Sequence, residues 1–337
     1  MFTNLNERYL PALDAAMRDA VDSTLGSGGL STLIRYPLGW TDVEGVPVQV
    51  VTGKRIRPLL TLLCAEAVGG SWRHALPAAA AVELLHNFSL IHDDIEDKSE
   101  IRHSRPTVWA VWGIASAINA GDALFSIAYS ALERLKQQPL PHEIVLEAWS
   151  IFNHTNLELT RGQHLDIQFE TQQNVSMSDY ISMITGKSAE LVAASAQLGA
   201  LVGSCNLDLA AHFADFGLNL GLAFQIRDDI LGIWGDPAVT GKSAASDIIS
   251  RKKSLPALIG LQASPELFAL YARADFNEND VASALSLLDQ VNARTMAETK
   301  EAVYFEKSAA ALDATGLRND AINQLKALAQ GLVGRDY

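Results

Sequence analysis

The stretch FQIRDDILGIWGD, residues 224–236, places two adjacent aspartates, Asp228 and Asp229, in a run of apolar residues. These apolar residues recur every three or four positions, which predicts an α-helix. Residues 191–205 and 216–226 are apolar on nearly all sides, and a helix of that kind is surrounded by other helices. The stretch therefore predicts a helical core with carboxylates inside it.

The same periodicity extends along the rest of the chain, and alternating strand patterns are nearly absent. Breaks rich in Gly and Pro separate predicted helices at 3–25, 55–69, 73–100, 107–137, 142–171, 177–203, 207–235, 246–261 and several places between 264 and 331. No Pro- or Ser-rich linker and no internal repeat divides the sequence. We therefore predict one all-α domain, a single large helical bundle over residues 1–337. Its core motifs lie in 53–256, with an N-terminal helix and loop in 1–50 and C-terminal helices in 262–337.

Composition and charge exclude several classes of function. Lys and Arg number 26 against 39 Asp and Glu, and the resulting net charge of −13 argues against non-specific binding to nucleic acid or anionic lipid. The N-terminal residues lack the basic and apolar regions of a signal peptide. The longest uncharged stretch, 191–207, is too short to span a membrane. We expect a cytoplasmic protein without a transmembrane segment and without a nucleic-acid partner.

A second acidic segment, LIHDDIED, occupies residues 90–97. Asp93 and Asp97 are four residues apart and share one helix face, where like charges repel unless a cation lies between them. Oxygen ligands favour Mg²⁺ over Zn²⁺. A solvated acidic turn would explain this segment alone equally well. With Asp228 and Asp229 in another apolar helix, the two segments predict facing walls of a deep central cavity, in which Mg²⁺ holds a phosphate or diphosphate.

Basic residues occur in short motifs rather than at random. GKRIRP at 53–58 places Lys54 and Arg57 at a predicted helix start, where the helix dipole favours an anion. Further basic residues follow the first acidic segment in IRHSRPT, lie in TGKSAEL, or flank the loop after the second segment: Arg102, Arg105, Lys187, Lys242 and Lys252. Any one of them is compatible with a surface charge. Together they predict a divided binding site for two polyanions.

These motifs together resemble the trans-isoprenyl diphosphate synthases, the head-to-tail polyprenyl synthase family. The resemblance rests on GKRIRP, the first aspartate-rich segment, the following Arg-x-x-x-Pro-Thr, GQHLD at 162–166, KS at 187–188, FQIRDD, and GK…D…K-x-S-L-P at 241–256. It implies an all-α, usually homodimeric enzyme that joins isopentenyl diphosphate to dimethylallyl, geranyl or farnesyl diphosphate. It also implies roughly two or three Mg²⁺ ions as cofactor.

The resemblance assigns roles by position. The implied catalytic residues are Asp93, Asp97, Lys187 and Asp228. The implied Mg²⁺ ligands are Asp93, Asp97 and Asp228, with Asp94 and Asp229 supporting them. The implied ligands of the allylic diphosphate are Arg102, Lys187, Ser188, Gln225, Lys242 and Lys252. The implied ligands of isopentenyl diphosphate are Lys54, Arg57, His86 and His103. His86 also fits by spacing, because it precedes Asp93 by seven residues and so lies on nearly the same helix face.

The sequence departs from the family pattern at five positions. The usual Arg-Arg-Gly after the first segment is Arg102-His103-Ser104 here, so that either Arg105 compensates for the second arginine or His103 binds as imidazolium. The third aspartate of the second segment is Gly232, and Ser188 and Ser254 replace threonines.

Product length in this family depends on bulk just before the first aspartate-rich segment. Phe88 and Ser89 precede Asp93 by five and four residues. The resemblance therefore implies a short- to medium-chain product, with C20 (geranylgeranyl) favoured over C15 (farnesyl). An ordinary core aromatic is the alternative interpretation of Phe88.

Other functions are compatible with parts of this pattern. A terpene cyclase would carry an Asn/Asp…Ser…Glu metal motif in place of FQIRDD, and the sequence shows none. A helical metal-dependent phosphohydrolase would use His92 and Asp93 as its metal pair. A non-catalytic partner subunit would explain His103 and Gly232 as signs of lost function.

Overall fold

The computed structural model describes residues 2–26, 28–50, 53–172, 174–236 and 245–334. They fall into two compact units, each built from separate parts of the chain. Unit 1 contains the described residues of 1–153, 194–211 and 317–322, and unit 2 contains those of 154–193, 212–316 and 323–337. The single domain over 1–337 stays a prediction.

Helices make up most of both units, which confirms the predicted all-α class. The α-helices are α1 Phe2–Thr24, α2 Gly29–Arg35, α3 Ile56–Ala67, α4 Leu76–Glu96, α5 Val108–Trp112, α6 Ile114–Glu133, α7 His142–Thr171, α8 Met177–Ile184, α9 Glu190–Ser204, α10 Leu207–Trp234, α11 Ser246–Ile249, α12 Leu255–Ala263, α13 Pro265–Tyr271, α14 Glu278–Gln290, α15 Ala293–Ala314 and α16 Asp320–Val333. Short 3₁₀ turns cover Trp72–Ala75 and Arg134–Gln137, and a π-helical turn covers Thr185–Ala189. The strands of the described residues are β1 Ile101–Arg102 and β2 Arg105–Pro106.

Most predicted helix bounds agree with the structure to within two residues, but three predicted helices are interrupted. The helix predicted at 107–137 breaks at Gly113, and the one at 177–203 contains the π-helical turn. The one at 246–261 splits because Ser254 is the N-cap of α12 and Pro256 lies in its first turn. Helix α2, Gly29–Arg35, was not expected from the sequence.

In unit 1, α4 packs against α1, α3 and α6. Its first half is buried on all sides, because the alanines at 78–81 present only small side chains to the neighbouring helices. The apolar residues Leu84, Leu85 and Ile91 continue the buried surface toward the acidic end of the helix. Packing of α4 therefore fixes the direction in which its polar residues point.

In unit 2, the second half of α10 lies in a hydrophobic cluster. Ile226, Ile230 and Ile233 are buried there with residues of α8, α12 and α14. The prediction that residues 216–226 are surrounded by other helices agrees with the burial of Leu222 and Ile226 in this cluster.

A two-residue turn joins β1 to β2 at the end of α4. Arg102 pairs with Arg105 across the hairpin, and the turn residues His103 and Ser104 both have positive φ, 50° and 60°. Two consecutive positive φ values define a type I′ turn, whose second position favours glycine. Ser104, at the position where the resemblance implies glycine, therefore adopts a left-handed conformation that costs about 1 kcal/mol.

We predict that Ser104→Gly raises the free energy of unfolding by about 1 kcal/mol, because glycine adopts positive φ without the Cβ clash. Chemical denaturation measures the change. The matched control is Ser283→Gly on the exposed surface of α14, which should destabilise by about 0.5 kcal/mol because that position is helical. A destabilised Ser104→Gly variant would contradict the left-handed assignment.

Candidate active site

The first acidic segment forms the C-terminal end of α4. The helix ends at Glu96, and Asp97 caps it with its backbone N–H donating to the carbonyl of Asp93 at 2.8 Å. Asp93 and Asp97 are therefore separated by one helical turn, as predicted. Asp93 is half-buried, Asp97 is exposed, and Asp94 is buried.

Arg102 on β1 contacts both adjacent aspartates. Its Nε donates to Asp94 Oδ1 at 2.7 Å, and its Nη2 donates to Asp93 Oδ2 at 3.1 Å. Burial raises the pKa of Asp94, and the positive charge of Arg102 opposes that rise. The hairpin therefore places a cation where two carboxylates share one helix end, and Asp94 is held by that cation.

Two of the predicted ligands of isopentenyl diphosphate, Arg57 on α3 and His86 on α4, lie next to each other. Arg57 Nη1 is 3.2 Å from His86 Nε2, and since Arg57 can only donate, that ring nitrogen accepts. Burial, and then the nearby charges of Arg57, Arg102 and His103, lower the pKa of His86 well below its ordinary value. His86 is thus a neutral ring that positions Arg57. Lys54, in the same motif, is exposed.

Two further residues support this cluster and were missed in the sequence. Glu83 is buried, with Oε1 3.6 Å from Arg55 Nε, and Asn87 Nδ2 donates to the same Oε1 at 3.3 Å. Burial raises the pKa of Glu83, while Arg55 and Arg57 lower it. The available signal was a single charged residue inside the apolar run 76–85.

A pocket of about 480 Å³ lies between the end of α4 and the hairpin, and Asn87, Asp94, Arg102 and His103 are among its lining residues. Partial burial, and then the charge of Arg102, lower the pKa of His103, which disfavours the imidazolium form. Arg105 donates to the carbonyls of Tyr36 and Thr41, both at 3.0 Å. The structure thus uses Arg105 to anchor the segment that follows α2.

In unit 2, the motifs GQHLD and TGKS meet directly. Gly162 of α7 lies against the π-helical turn so closely that a Cβ there would be 2.0 Å from the backbone nitrogen of Lys187. This close approach brings the ammonium group of Lys187 into an ion pair with Asp166. The two motifs form a single structural feature.

A chain of hydrogen bonds then connects Ser188 to α10 and α12. Ser188 Oγ donates to Gln225 Oε1 at 2.5 Å, and Gln225 Nε2 donates to Asp229 Oδ1 at 3.0 Å. Asp229 Oδ2 also accepts from the Tyr180 hydroxyl at 2.6 Å and from the Leu255 backbone N–H at 2.9 Å. Both oxygens of the buried Asp229 are engaged, which favours the supporting role over direct metal ligation.

A pocket of about 280 Å³ adjoins these hydrogen bonds, and its lining residues include Asp166, Tyr180, Lys187, Ser188, Gln225, Asp229, Lys252 and Ser254. Four of the six predicted ligands of the allylic diphosphate are therefore brought together: Lys187, Ser188, Gln225 and Lys252. Arg102 belongs to unit 1, and Lys242 lies outside the described residues. The neighbouring Lys253 donates to the Phe169 carbonyl at 2.7 Å.

The residues predicted to control product length, Phe88 and Ser89, lie on α4, and Phe88 faces α6. The ring of Phe88 packs edge-on against His92 at 4.9 Å and against Phe125 at 5.2 Å. Ser89 Oγ donates to the carbonyl of His86 at 2.8 Å. Phe88 is thus held between two rings, one of them on α6.

A family model described as Polyprenyl synthetase matches residues 46–288. The chain belongs to the polyprenyl synthetase family. This family member is 46% identical over 224 residues to a (2E,6E)-farnesyl diphosphate synthase of Mycobacterium bovis, a match covering 66% of this chain and 61% of that protein. It is 40% identical over 264 residues to a geranylgeranyl diphosphate synthase of Mycobacterium tuberculosis, covering 77% of this chain and 74% of that protein.

The fold of this family member is also found in solved structures. It superposes on a polyprenyl synthetase from Streptomyces coelicolor A3(2) with a TM-score of 0.90 and 35% identity, covering 99% of this chain and 100% of that one. Among the described residues, no helix is both long enough and apolar enough to cross a membrane.

The carboxylates of this polyprenyl synthetase family member fit a hard divalent cation. Mg²⁺ is usually held by one or two carboxylates, with water and substrate phosphates as its other ligands. Asp93, Asp97 and Asp228 offer oxygen donors at least partly accessible to solvent. By contrast, the phosphohydrolase alternative requires His92 as a metal ligand. Its Nε2 lies 3.7 Å from Asp122 Oδ1, and its ring packs over Gly121 of α6.

We predict that Asp229→Asn destabilises this polyprenyl synthetase family member by about 3 kcal/mol, because the amide cannot accept all three hydrogen bonds of the buried carboxylate. The matched change, Asp228→Asn, removes a half-buried carboxylate next to it and should shift the free energy of unfolding by less than about 1 kcal/mol. Urea denaturation of both variants measures the difference. Equal losses of stability would contradict the division of roles between the two aspartates.

Proposed function

We propose that this protein is a trans-polyprenyl diphosphate synthase that condenses isopentenyl diphosphate with an allylic diphosphate. The observation that carries the proposal is the pocket of unit 2, where Lys187, Ser188, Gln225 and Lys252 converge. Ammonium, hydroxyl and amide groups all donate hydrogen bonds to phosphate oxygens. Membership in the polyprenyl synthetase family supports the proposal. The chain spans 61% of the length of the Mycobacterium bovis farnesyl diphosphate synthase that it matches.

The proposed reaction begins with cleavage of the allylic carbon–oxygen bond. The bonding electrons leave with the diphosphate, and Lys187 and Lys252 stabilise the developing negative charge through fixed positive charges. Ser188 and Gln225 orient the same group by hydrogen bonds. Mg²⁺ bound by Asp93, Asp97 and Asp228 would add positive charge to the departing diphosphate.

The second substrate needs a separate anion site, which we propose to be the cluster of Lys54, Arg57, His86 and His103. Arg57, positioned by neutral His86, is suited to bidentate contact with a diphosphate. Holding isopentenyl diphosphate beside the allylic cation makes the attack of its double bond effectively unimolecular. The new carbon–carbon bond forms, a proton is lost, and the released diphosphate is the base that takes it.

Incubation with isopentenyl diphosphate, Mg²⁺ and each of the dimethylallyl, geranyl and farnesyl primers tests the proposal. We expect incorporation into a longer prenyl diphosphate, identified by mass spectrometry, and about a 100-fold lower rate for Asp93→Asn or Asp228→Asn. Absence of incorporation with every primer would overturn the proposal and favour the partner-subunit alternative. Hydrolysis of a mononucleotide without incorporation would favour the phosphohydrolase.

We further propose that the main product is C20, with Phe88 limiting chain length. The relatives include both farnesyl and geranylgeranyl diphosphate synthases, so the proposal rests on the position of Phe88 and the small Ser89 beside it. Phe88→Ala should shift products to longer chains because the ring held by His92 and Phe125 is removed. The matched control is Phe268→Ala on the surface of α13, which should leave the products unchanged. An unchanged distribution for Phe88→Ala would show that Phe88 is not the limit.

We also propose a homodimer that forms through α6 and α7. Large apolar side chains are exposed there, including Ile114 at 53% and Leu146 at 70%, and burial against a second copy would remove them from water. Leu146→Glu should give monomers in sedimentation velocity, because a charge at such an interface is costly. Met296→Glu on α15, also exposed in the single chain, should leave the dimer intact. A wild-type monomer would contradict the proposal.

A further inference from the structure

Three consecutive basic residues, Arg251, Lys252 and Lys253, lie between α11 and α12. The family resemblance specifies only the middle one, because the pattern K-x-S-L-P leaves the position of Lys253 open and does not include Arg251. Lys252 lines the pocket of unit 2 that we assign to the allylic diphosphate. Adjacent like charges repel one another, so the two outer residues are expected to make compensating contacts.

Lys253 is bonded to the C-terminal end of α7. Its ammonium group donates to the carbonyl of Phe169 at 2.7 Å and to the carbonyl of Glu170 at 3.3 Å. Both carbonyls belong to the last turn of α7, which ends at Thr171. The last carbonyls of a helix have no partner within the helix, and the helix dipole makes this end negative. The cation of Lys253 therefore caps α7.

Arg251 makes the same kind of contact with the end of α13. Its Nη1 donates to the carbonyl of Tyr271 at 3.1 Å and to that of Arg273 at 2.9 Å, and its Cζ lies 5.7 Å from the centre of the Phe276 ring. The backbone of Arg251 has a positive φ of 53°, which is unfavourable for a residue with a Cβ and persists only where the surrounding structure requires it. These contacts hold an arginine in a left-handed conformation directly before Lys252.

The end of α7 also contacts the segment that carries the other lysine of the pocket. Asp166 precedes Phe169 by three residues on α7 and forms the ion pair with Lys187. One helix end is thus bonded to both lysine-bearing segments, to the π-helical turn through Lys187 and to the segment before α12 through Lys253. The separation of these two segments is therefore set by α7.

We propose that Arg251 and Lys253 are positioning residues, which hold Lys252 in the pocket of unit 2 by capping the C-terminal ends of α13 and α7. The inference rests on the proposed function, in which Lys252 stabilises the charge that develops on the departing diphosphate. Lysine carries its charge on a long and flexible side chain, so anchors on both sides of Lys252 restrict where its ammonium group can lie. A fixed charge stabilises a transition state more than a mobile one, because it does not have to reorient as the bond breaks.

Direct contact of Lys253 with the diphosphate is the competing role, because Lys253 also lines the pocket. The two roles differ in how substitutions combine. Two independent contacts give losses of binding free energy that add, whereas a residue that acts through its neighbour causes little further loss once that neighbour is removed. A double-mutant cycle on positions 252 and 253 therefore distinguishes positioning from direct contact.

The first test measures the dissociation constant of inorganic diphosphate in the presence of Mg²⁺, by isothermal titration calorimetry on the whole chain. Lys252→Met should raise this constant about 30-fold and Lys253→Met about 10-fold, whereas adding Lys253→Met to Lys252→Met should raise it less than about twofold further. Lys253→Arg keeps a charged donor and should stay within about threefold of wild type. In the condensation assay, Lys253→Met should lower kcat as well as raise KM for the allylic substrate, because the charge of Lys252 is no longer fixed.

Arg251→Gly provides a second test that does not depend on Lys253→Met folding well. Glycine adopts positive φ without strain, so the melting temperature should stay near that of wild type although the bonds to the end of α13 are lost. The dissociation constant of diphosphate should still rise about threefold. The matched control is Lys300→Met, which removes an exposed lysine from α15 and should leave the dissociation constant unchanged.

The outcomes separate this inference from the proposed function. Losses that add fully in the double variant, or a lower melting temperature of Lys253→Met with an unchanged dissociation constant, overturn the positioning role of Lys253 and leave the proposed function intact. An unchanged dissociation constant for Arg251→Gly overturns the role of Arg251 in the same way. A wild-type protein that does not bind diphosphate overturns both the inference and the proposed function.

Discussion

An ionised side chain on an apolar helix needs an opposite charge or several hydrogen bonds, because burial removes the water that would otherwise solvate it. Three carboxylates of the described residues show this compensation. Arg102 compensates Asp94, and Lys187 pairs with Asp166. Asp229, which accepts three hydrogen bonds, reaches the same result without a cation.

The constraint also explains why each aspartate pair divides its roles. Successive residues on a helix point about 100° apart, so two adjacent aspartates cannot face the same side. In both segments the second aspartate, Asp94 or Asp229, is buried and held by the protein, while Asp93 and Asp228 are half-buried. The buried partner fixes the rotation of the helix, and that rotation decides where the other carboxylate points.

The second requirement of these sites is a glycine that another part of the chain can approach closely. Gly162 lets the turn that contains Lys187 reach α7, and Gly232 makes room for the carboxylate of Asp247. Gly162 belongs to a motif that the sequence already identified. Gly232 first appeared as a departure from the family pattern, and its meaning depends on a residue from another helix.

Local order could be predicted from the sequence, since helical periodicity and four-residue spacing depend only on neighbours along the chain. The helices, the shared face of Asp93 and Asp97, and the motif residues that line the pocket of unit 2 all follow from such patterns or from the family resemblance. The support of Arg57 by His86, the anchoring role of Arg105, and the contacts of Glu83, Tyr180 and Asp247 do not. Each of these depends on which residues from distant parts of the chain are packed together, and only the tertiary structure decides that.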